Sequence, residues 1–426
     1  MTKLKDIHLK PIDIFLVVSL GITLLFITMN IYYDGILFEK CVLSSSFLFS
    51  DYYYHIAGSS DTSIMYSYGD PYSFPPFAYF MYSLLWSLNP YKDSESILHW
   101  QNYRDADNSL VVFVIYNMLL IVLLIYCIIQ YFDKLNAKYV ILLPTALLVS
   151  YPFMCTSIQR GNVVILVAIL LAFSWLWMDS DNRIKQELAL LFIAVSAGFK
   201  LYPALIGIVY LKRKEWKKAF RLVLYGIIAV FVPFIFFGGL SGMRSLIHTL
   251  TGFASYIDPN KTNTVCGMAK WIGLKLNMSD PYANTFGIMI NYMFFAASLL
   301  FFFLSKKKWQ EALFLSGILV SFLPSNWEYT LVYYVPVLFL FIKENNIDIT
   351  KNKLSTNIWL TAHSVAFGMI FSVNFIMLYY RYGMLSGIFT ITYLLIGANM
   401  LAVMRERLSP LPPENDRLFC SSRTSP

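Results

Sequence analysis

Long apolar runs, separated by short basic turns, constrain this chain more than any other feature. Residues 110–132 and 384–404 carry no charged side chain, and both reach the roughly 20 residues that a helix needs to cross the hydrocarbon core of a bilayer. A segment in hydrocarbon must satisfy its own backbone hydrogen bonds, which at this length requires a helix. Only 14% of the residues are charged, against about 25% in soluble domains. The sequence therefore predicts an all-α polytopic membrane protein.

The apolar runs divide into ten clear spans and one interrupted stretch. The spans lie near residues 13–33, 110–132, 139–157, 162–178, 219–238, 285–304, 309–324, 329–342, 358–378 and 384–404. The remaining stretch, residues 187–211, contains Lys200 and Pro203, and we expect two half-helices that break at this point within the membrane. Together these segments predict about twelve transmembrane helices.

The distribution of lysine and arginine predicts the orientation. Short cytoplasmic loops are enriched in these residues, and we assign to the cytoplasmic side the basic turns that contain Lys134, Arg183, Lys212, Lys306, Lys343 and Arg405. All of these turns lie on the cytoplasmic side only if residues 187–211 enter the membrane from the cytoplasm and return to the cytoplasm. Both termini are then cytoplasmic. The net charge of +8 is spread over the loops rather than pooled on one stretch, which argues against a nucleic-acid partner.

In this topology two long segments face the extracytoplasmic side. Residues 34–108 form the first, which is rich in Asp and Glu, and residues 239–284 form the second. We expect residues 1–408 to fold as a single transmembrane domain. The proline-containing residues 409–426 are expected to be a disordered cytoplasmic tail.

The first external segment contains an apolar run, residues 74–88, with two prolines near its start. Its length of about 15 residues is short for a span, and counting it as one would invert every later loop. We therefore expect an interfacial helix along the outer surface, with Tyr79, Tyr82 and Trp86 at headgroup depth.

Asp51, which follows the first span, is a candidate general base. It precedes three tyrosines, Tyr52, Tyr53 and Tyr54. A carboxylate beside a membrane cleft can take a proton from a sugar hydroxyl, whereas the common alternative for an acid at this position is a solvated loop residue. The tyrosine rings suit either a sugar ring or the membrane interface. Tyr52 and Tyr54 are therefore candidate substrate-pocket residues.

Two cations lie near or within the predicted membrane spans. Arg160 is in a very short outward turn, and its planar guanidinium suits either a phosphate, held by two parallel hydrogen bonds, or a lipid headgroup. Lys200 lies inside an apolar stretch, where a charge costs about 2.5–3.5 kcal/mol and by default marks a functional site. Both residues are candidates for binding a phosphate group.

A late outward turn adds three residues to the candidate pocket, Trp327, Glu328 and Tyr329. Tryptophan at such a position also serves as an interface anchor. The five histidines and five cysteines form no HExxH or CxxC motif, and no glycine-rich phosphate loop is present. Neither a metal nor a cofactor is therefore predicted.

Three separated motifs together resemble glycosyltransferase family 87, a branch of the GT-C superfamily that uses sugars linked to polyprenyl phosphate. The motifs are Asp51-Tyr52-Tyr53-Tyr54 followed by Tyr72-Ser73-Phe74-Pro75-Pro76-Phe77, then Arg160-Gly161-Asn162, then Lys200-Leu201-Tyr202-Pro203. The resemblance implies a GT-C-type fold whose first external loop supplies the catalytic acid, here Asp51. It implies a polyprenyl-phosphate-linked sugar as donor, and Asn162 and Tyr202 become candidate pocket residues. Mannosyltransferases of the family often have a histidine shortly after the late tryptophan, where this chain has Tyr329.

The resulting hypothesis is an inverting transfer of a hexose, with mannose as the first candidate, to a glycan or glycolipid acceptor. Asp51 deprotonates the acceptor hydroxyl, while Arg160 and Lys200 stabilise the phosphate that leaves. The expected setting is a bacterial plasma membrane, with the site on the extracytoplasmic face. Two alternatives belong to the same lipid-linked chemistry: a transporter or flippase for lipid-linked sugars or polysaccharide, and an O-antigen-type polymerase or ligase.

Overall fold

A computed structural model shows the chain as a bundle of helices. It describes residues 9–41, 48–59, 65–66, 74–89, 100–106, 108–132, 136–154, 160–255, 264–321, 328–345, 347–349, 353–372 and 387–408. Within these ranges the helices are α-helices and 3₁₀ helices, with single π-helical residues at Met154 and Arg160, and there is no strand. Trp327 and the predicted tail, residues 409–426, lie outside the described residues.

The helices of the first half of the chain are α1 (Pro11–Tyr32), α2 (Ile36–Cys41), α3 (Ser50–Gly58), α4 (Pro76–Leu88), α5 (Trp100–Asp105), α6 (Ser109–Tyr131), α7 (Ala137–Leu148), α8 (Tyr151–Phe153), α9 (Val164–Trp177) and α10 (Arg183–Phe199). Those of the second half are α11 (Ile208–Lys212), α12 (Trp216–Phe231), α13 (Gly239–Ser255), α14 (Val265–Lys275), α15 (Asp280–Leu304), α16 (Lys308–Ser321), α17 (Val335–Glu344), α18 (Leu354–Ile370) and α19 (Gly387–Leu408). The 3₁₀ helix Tyr202–Gly207 precedes α11, Val232–Phe236 follows α12, and Glu328–Tyr334 precedes α17.

Four helices of the described chain are long and apolar enough to cross a bilayer. They are α1, α6, α15 and the continuous segment Trp216–Phe236, which is α12 with its 3₁₀ extension. Shorter apolar helices are Ala137–Leu148, Val164–Trp177 and Tyr202–Lys212. The side chains of α6 that face away from the bundle are large and apolar, as in Met118 and Val122, which suits contact with lipid rather than water. The protein is therefore polytopic.

The predicted interruption at Lys200 is present. Helix α10 ends at Phe199, and Lys200 has an extended backbone with φ −147° and ψ 126°. The cause is local, because Pro203 lacks an N–H group and cannot continue the hydrogen-bonding pattern of an α-helix. At the far end of the following segment, Arg213 forms an ion pair with Asp179, which lies in the turn before α10. The two ends of the interrupted stretch thus lie together, with Lys200 at its apex.

Several basic turns meet at one end of the bundle. Lys212 forms an ion pair with Glu311 at 2.6 Å, and Lys308 forms one with Asp179 at 2.6 Å. Arg213 joins both groups, since it also contacts Glu311 at 3.4 Å. We call this cluster, formed by Asp179, Lys212, Arg213, Lys308 and Glu311, the basic end.

The other end of the bundle carries the residues predicted to act on a substrate. Helix α9 begins just after Asn162 and ends just before Asp179, and its 14 residues correspond to a length of about 21 Å. The turn that contains Arg160 is therefore separated from the basic end by most of the thickness of a membrane core. Lys200, at the apex of the interrupted stretch, lies on the same side as Arg160.

Helix α4 forms where the sequence predicts a helix, but its tyrosines are not at a surface. Tyr79 and Tyr82 have no exposed area, and their rings lie 5.5 Å and 5.2 Å from the ring of His55. On the other side of the helix, Phe77 packs so closely on Gly198 that an added Cβ would lie 3.2 Å from it. The prediction that these tyrosines lie at headgroup depth is wrong, because an aromatic-rich helix suits a protein interior as well as an interface.

The second segment that is predicted to be external, residues 239–284, is largely helical where the structure describes it. It contains α13 and α14, and α14 packs against the first half of α15 as a hairpin. Two glycines allow the close approach: a Cβ at Gly287 would lie 2.7 Å from the carbonyl oxygen of Cys266, and one at Gly273 would lie 3.3 Å from Ala283. Residues 264–284 are thus part of a packed hairpin rather than an open loop.

Candidate active site

Asp51, Arg160 and Asn162 come together at the end of the bundle opposite the basic end. Asp51 lies in the first turn of α3, and the other two residues lie in the turn before α9. Arg160 Nη1 is 3.2 Å from Asp51 Oδ1, and the two side chains are 13% and 18% exposed. Asn162 Nδ2 donates a hydrogen bond of 2.7 Å to Asp51 Oδ2. Both carboxylate oxygens are therefore held, while part of the group remains accessible.

The turn that carries Arg160 and Asn162 depends on the glycine between them. Gly161 has φ +66°, a left-handed conformation that side chains with a Cβ rarely adopt. A Cβ at this position would also lie 2.5 Å from Tyr52 Cβ and 2.9 Å from the ring of Phe113. Glycine thus lets the turn rest directly on α3, which brings the flanking Arg160 and Asn162 to Asp51.

The tyrosines after Asp51 have different surroundings. Tyr52 has no exposed area, and its ring packs against Tyr53 at 5.0 Å and Phe113 at 4.8 Å. It supports the turn at Gly161 and offers no surface to a substrate, contrary to the expectation of a pocket residue. Tyr54 is partly exposed, so it retains a surface that a substrate can contact.

Lys200 is the second cation of this region. It is partly buried, and its Nζ lies 3.9 Å from the centroid of the Phe74 ring and 5.9 Å from that of Tyr329. Its charge interacts with that of Asp51. Within the described residues its ammonium group makes no hydrogen bond. Aromatic faces stabilise the positive charge but leave the three N–H donors of the ammonium unused.

The late turn reaches the same region through Tyr329. This residue is partly exposed, and it lies beside Lys200 although the two are far apart in the chain. Tyr333, one turn further on, donates a hydrogen bond of 3.0 Å to the hydroxyl of Tyr202. Glu328 is buried at 5% exposure. The late turn is thereby attached to the segment that follows Lys200.

His55 belongs to this site, although the sequence reasoning considered it only as a metal ligand. It lies one helical turn after Asp51 on α3 and is 7% exposed. Its ring stacks on Phe74 with centroids 4.3 Å apart. Burial and the nearby charge of Lys200 lower the pKa of His55 to about 4, with Asp51 opposing the shift. Its spacing of four residues from Asp51, which places the two side chains on one helix face, is the sequence signal that would have identified it.

An apolar cavity opens beside Lys200. Its volume is about 510 Å³, and it runs from Leu201 to Leu211 along the interrupted stretch and faces α12. Small residues keep it open, among them Ala197, Ala204 and Gly226. A groove with this apolar lining fits a long hydrocarbon chain, and it begins at the residue that follows Lys200.

No metal centre is evident in this part of the molecule. Among the residues that the structure describes, no group of three or more histidine, cysteine, aspartate or glutamate side chains is arranged to hold a metal ion.

The fold and this site define a polytopic membrane protein with an acid and two cations gathered at one end of its helix bundle. The family model for glycosyltransferase family 87 matches residues 72–325, which is more than half of the 426 residues. The chain belongs to this family and is a membrane glycosyltransferase, so it requires a sugar donor and an acceptor. The matched region contains Arg160, Asn162 and Lys200 and begins after Asp51. Neither the curated proteins nor the solved structures contain a match.

Proposed function

We propose that this protein transfers a hexose, with mannose as the first candidate, from a polyprenyl-phosphate sugar to a glycan or glycolipid acceptor on the extracytoplasmic face of the membrane. The observation that carries the proposal is the arrangement of Lys200. Lys200, whose ammonium makes no hydrogen bond within the described residues, interacts electrostatically with the partly accessible carboxylate of Asp51, and an apolar groove begins at the next residue, Leu201. A lipid phosphate that carries a sugar needs these three surroundings.

The proposed reaction is a single displacement with inversion. Asp51 accepts the proton of an acceptor hydroxyl, and the hydroxyl oxygen forms a bond to the anomeric carbon of the sugar. The bond between that carbon and the phosphate oxygen breaks, and its electron pair stays on the polyprenyl phosphate. A base placed within reach of the hydroxyl typically contributes about 10²- to 10⁴-fold to such a step.

Lys200 stabilises the charge that grows on the leaving phosphate. Groups preorganised where charge develops contribute more in a poorly hydrated site than in water. Lys200 meets this condition, because Phe74 and Tyr329 shield it on two sides. Its ammonium makes no hydrogen bond to the described part of the chain, so its N–H donors need no rearrangement to bind phosphate oxygens.

Arg160 has two roles in this proposal. Its contact with Asp51 at 3.2 Å orients the carboxylate, and a guanidinium carries five N–H donors in a planar fork that suits a phosphate. Asn162 is 2% exposed, so we assign it to the positioning of Asp51 rather than to contact with the sugar. Glu328, at 5% exposure, is likewise not assigned a substrate contact. Tyr54, Tyr202, Trp327 and Tyr329 remain the proposed surroundings of the substrate.

A second apolar cavity favours a glycolipid as the acceptor. Its volume is about 430 Å³, and Phe49, Phe113 and Phe153 line it together with the outer half of α6. Phe49 is two residues before Asp51, and Phe113 lies under Gly161. This cavity shares no lining residue with the groove that begins at Leu201, which leaves separate paths for the tails of a donor and an acceptor.

The proposed topology has about twelve crossings with both termini in the cytoplasm. The basic end supports it, because turns that the positive-inside rule assigns to the cytoplasm meet there, including those with Lys212 and Lys308. The site with Asp51 and Lys200 is then extracytoplasmic, on the face where a GT-C-type enzyme of this kind would use a lipid-linked donor.

The test is a transfer assay with full-length protein in lipid nanodiscs and a panel of polyprenyl-phosphate hexoses. We expect one sugar to be transferred, Asp51→Asn to lose at least about 100-fold in kcat, and Lys200→Met to raise the donor KM and lower kcat. Glu39→Gln is the matched control, since Glu39 is an exposed acid of the same external segment. Full activity of Asp51→Asn would exclude the base role. Uptake of a lipid-linked sugar into vesicles without transfer would favour the transporter instead.

A further inference from the structure

His55 occupies an unusual position for a histidine. It is almost fully buried on α3, and within the described residues its Nδ1 has no hydrogen-bond partner. A buried nitrogen without a partner costs about 1–3 kcal/mol. No step of the proposed reaction uses this residue, so its presence calls for a separate explanation.

The surroundings of His55 connect it to Lys200. The centroid of its ring lies 4.3 Å from that of Phe74, with an angle of 34° between the planes. The same Phe74 ring lies 3.9 Å from Lys200 Nζ. Tyr66 fixes the backbone at this point, because its hydroxyl donates a hydrogen bond of 2.6 Å to the carbonyl oxygen of Phe74. Phe74 therefore contacts both the imidazole of His55 and the ammonium of Lys200.

We propose that His55 is a positioning residue of the donor site: its ring supports Phe74, and Phe74 in turn fixes the ammonium of Lys200 where the donor phosphate binds. This inference rests on the proposed role of Lys200. A cation is attracted to the face of an aromatic ring only at short range and in a suitable orientation. If the His55 ring is removed, the Phe74 ring can move into the space that it occupied. The ammonium of Lys200 then loses its fixed position.

Electrostatics explain why the supporting ring must be uncharged. A protonated imidazole next to Phe74 would repel the ammonium of Lys200, with which His55 interacts electrostatically. Burial prevents this, since it lowers the pKa of His55 to about 4. Phenylalanine provides the same flat, uncharged support and is the conservative replacement.

The test compares His55→Ala, Phe74→Leu, the double variant and His55→Phe in nanodiscs. We expect His55→Ala and Phe74→Leu each to raise the donor KM, and the dissociation constant for polyprenyl phosphate, about three- to tenfold. The acceptor KM should stay unchanged. The double variant should be no worse than either single one, because both changes remove the same contact. His55→Phe should restore wild-type values, and His248→Ala, a change of an exposed histidine on α13, is the control.

The outcomes separate this inference from the proposed function. An unchanged donor KM in His55→Ala, or a His55→Phe protein as defective as His55→Ala, would overturn the positioning role while transfer by the wild type continues. A purely structural role would lower the yield of folded protein without altering KM. If the wild type binds polyprenyl phosphate but transfers no sugar, the proposed function fails, and weaker binding by both single variants still supports the inference.

Discussion

The side-chain amide of Asn162 donates a hydrogen bond of 2.7 Å to Asp51 Oδ2, although the two residues are 111 positions apart in the chain. The carbonyl oxygen of the same amide accepts a hydrogen bond of 3.1 Å from the backbone N–H of Val164 at the start of α9. Asn162 thereby ties the carboxylate to the end of a buried helix. The orientation of Asp51 is thus set by the bundle and not by α3 alone.

Replacement of Asn162 by alanine should impair the chemical step. A hydrogen bond to a charged group contributes about 1.5–3 kcal/mol, so we expect kcat to fall about 10- to 100-fold. The donor KM should change less than about twofold, because Lys200 and the apolar groove are unaffected. Steady-state kinetics with the donor and acceptor varied separately measure both values.

The variant Asn162→Asp distinguishes the positioning of Asp51 from the capping of α9 at the Val164 N–H. The carboxylate keeps an oxygen that can accept from the Val164 N–H, but it replaces the N–H donor by a second negative charge next to Asp51. We expect a folded protein with a kcat at least as low as that of Asn162→Ala. Wild-type kcat in Asn162→Asp would show that Asn162 acts only as a cap.

Gly161→Ala should disturb the site without changing any of its charged groups. The new Cβ would lie 2.5 Å from Tyr52 Cβ, and the left-handed backbone costs about 1–2 kcal/mol for a residue with a side chain. We expect a lower Tm and a loss of kcat, as the turn lifts Arg160 and Asn162 away from Asp51. Gly21→Ala on α1 is the control, because nothing lies within 4 Å of the Cβ added there. Equal Tm and kcat values for the two variants would contradict this account of the turn.

Local patterns in the sequence were sufficient to predict the helical class and the break at Lys200. Both depend on nearby residues: an uncharged run such as 110–132 requires a helix in hydrocarbon, and Pro203 disrupts the helix that precedes it. The burial of Tyr79 and Tyr82 was not predictable in this way. It depends on contacts with His55 and α10, which no periodicity within residues 74–88 reveals.

The candidate site was predictable in its residue types but not in its contacts. Arg160 and Lys200 are conspicuous as cations next to apolar spans. The sequence gives no indication, however, that Arg160 pairs with Asp51 or that Phe74 lies against Lys200, because these contacts join segments far apart in the chain. His55 was accessible to reasoning from helical spacing, since α3 places it one turn after Asp51.

The burial of His55 predicts a specific dependence of stability on pH. Its pKa is about 4 in the folded protein and about 6.5 in an unfolded chain. Between these values the unfolded chain binds a proton that the folded protein does not, so stability that is complete above pH 6.5 is lost as the pH falls toward 4. The loss at pH 5 is about 2 kcal/mol.

His55→Phe should remove this contribution, because phenylalanine does not titrate. The measurement is the Tm of the wild type and of His55→Phe in the same detergent at pH 7 and pH 5. We expect the wild type to lose more stability than the variant on acidification. Parallel losses in the two proteins would mean that other groups dominate the acid response and that His55 is not held uncharged.

The groove beside Lys200 predicts an effect that depends on the length of the donor lipid. Ala204 lies in this groove with an exposed side chain, so Ala204→Phe should obstruct the path of a polyprenyl chain without touching Lys200. Since each buried CH₂ group contributes about 0.8 kcal/mol, we expect the KM for a long-chain donor to rise at least about tenfold. A short-chain analogue, which does not extend past Ala204, should keep its KM. Ala296→Phe on α15, an exposed position outside the groove, is the control, and an equal effect of Ala204→Phe on both donors would place the lipid tail elsewhere.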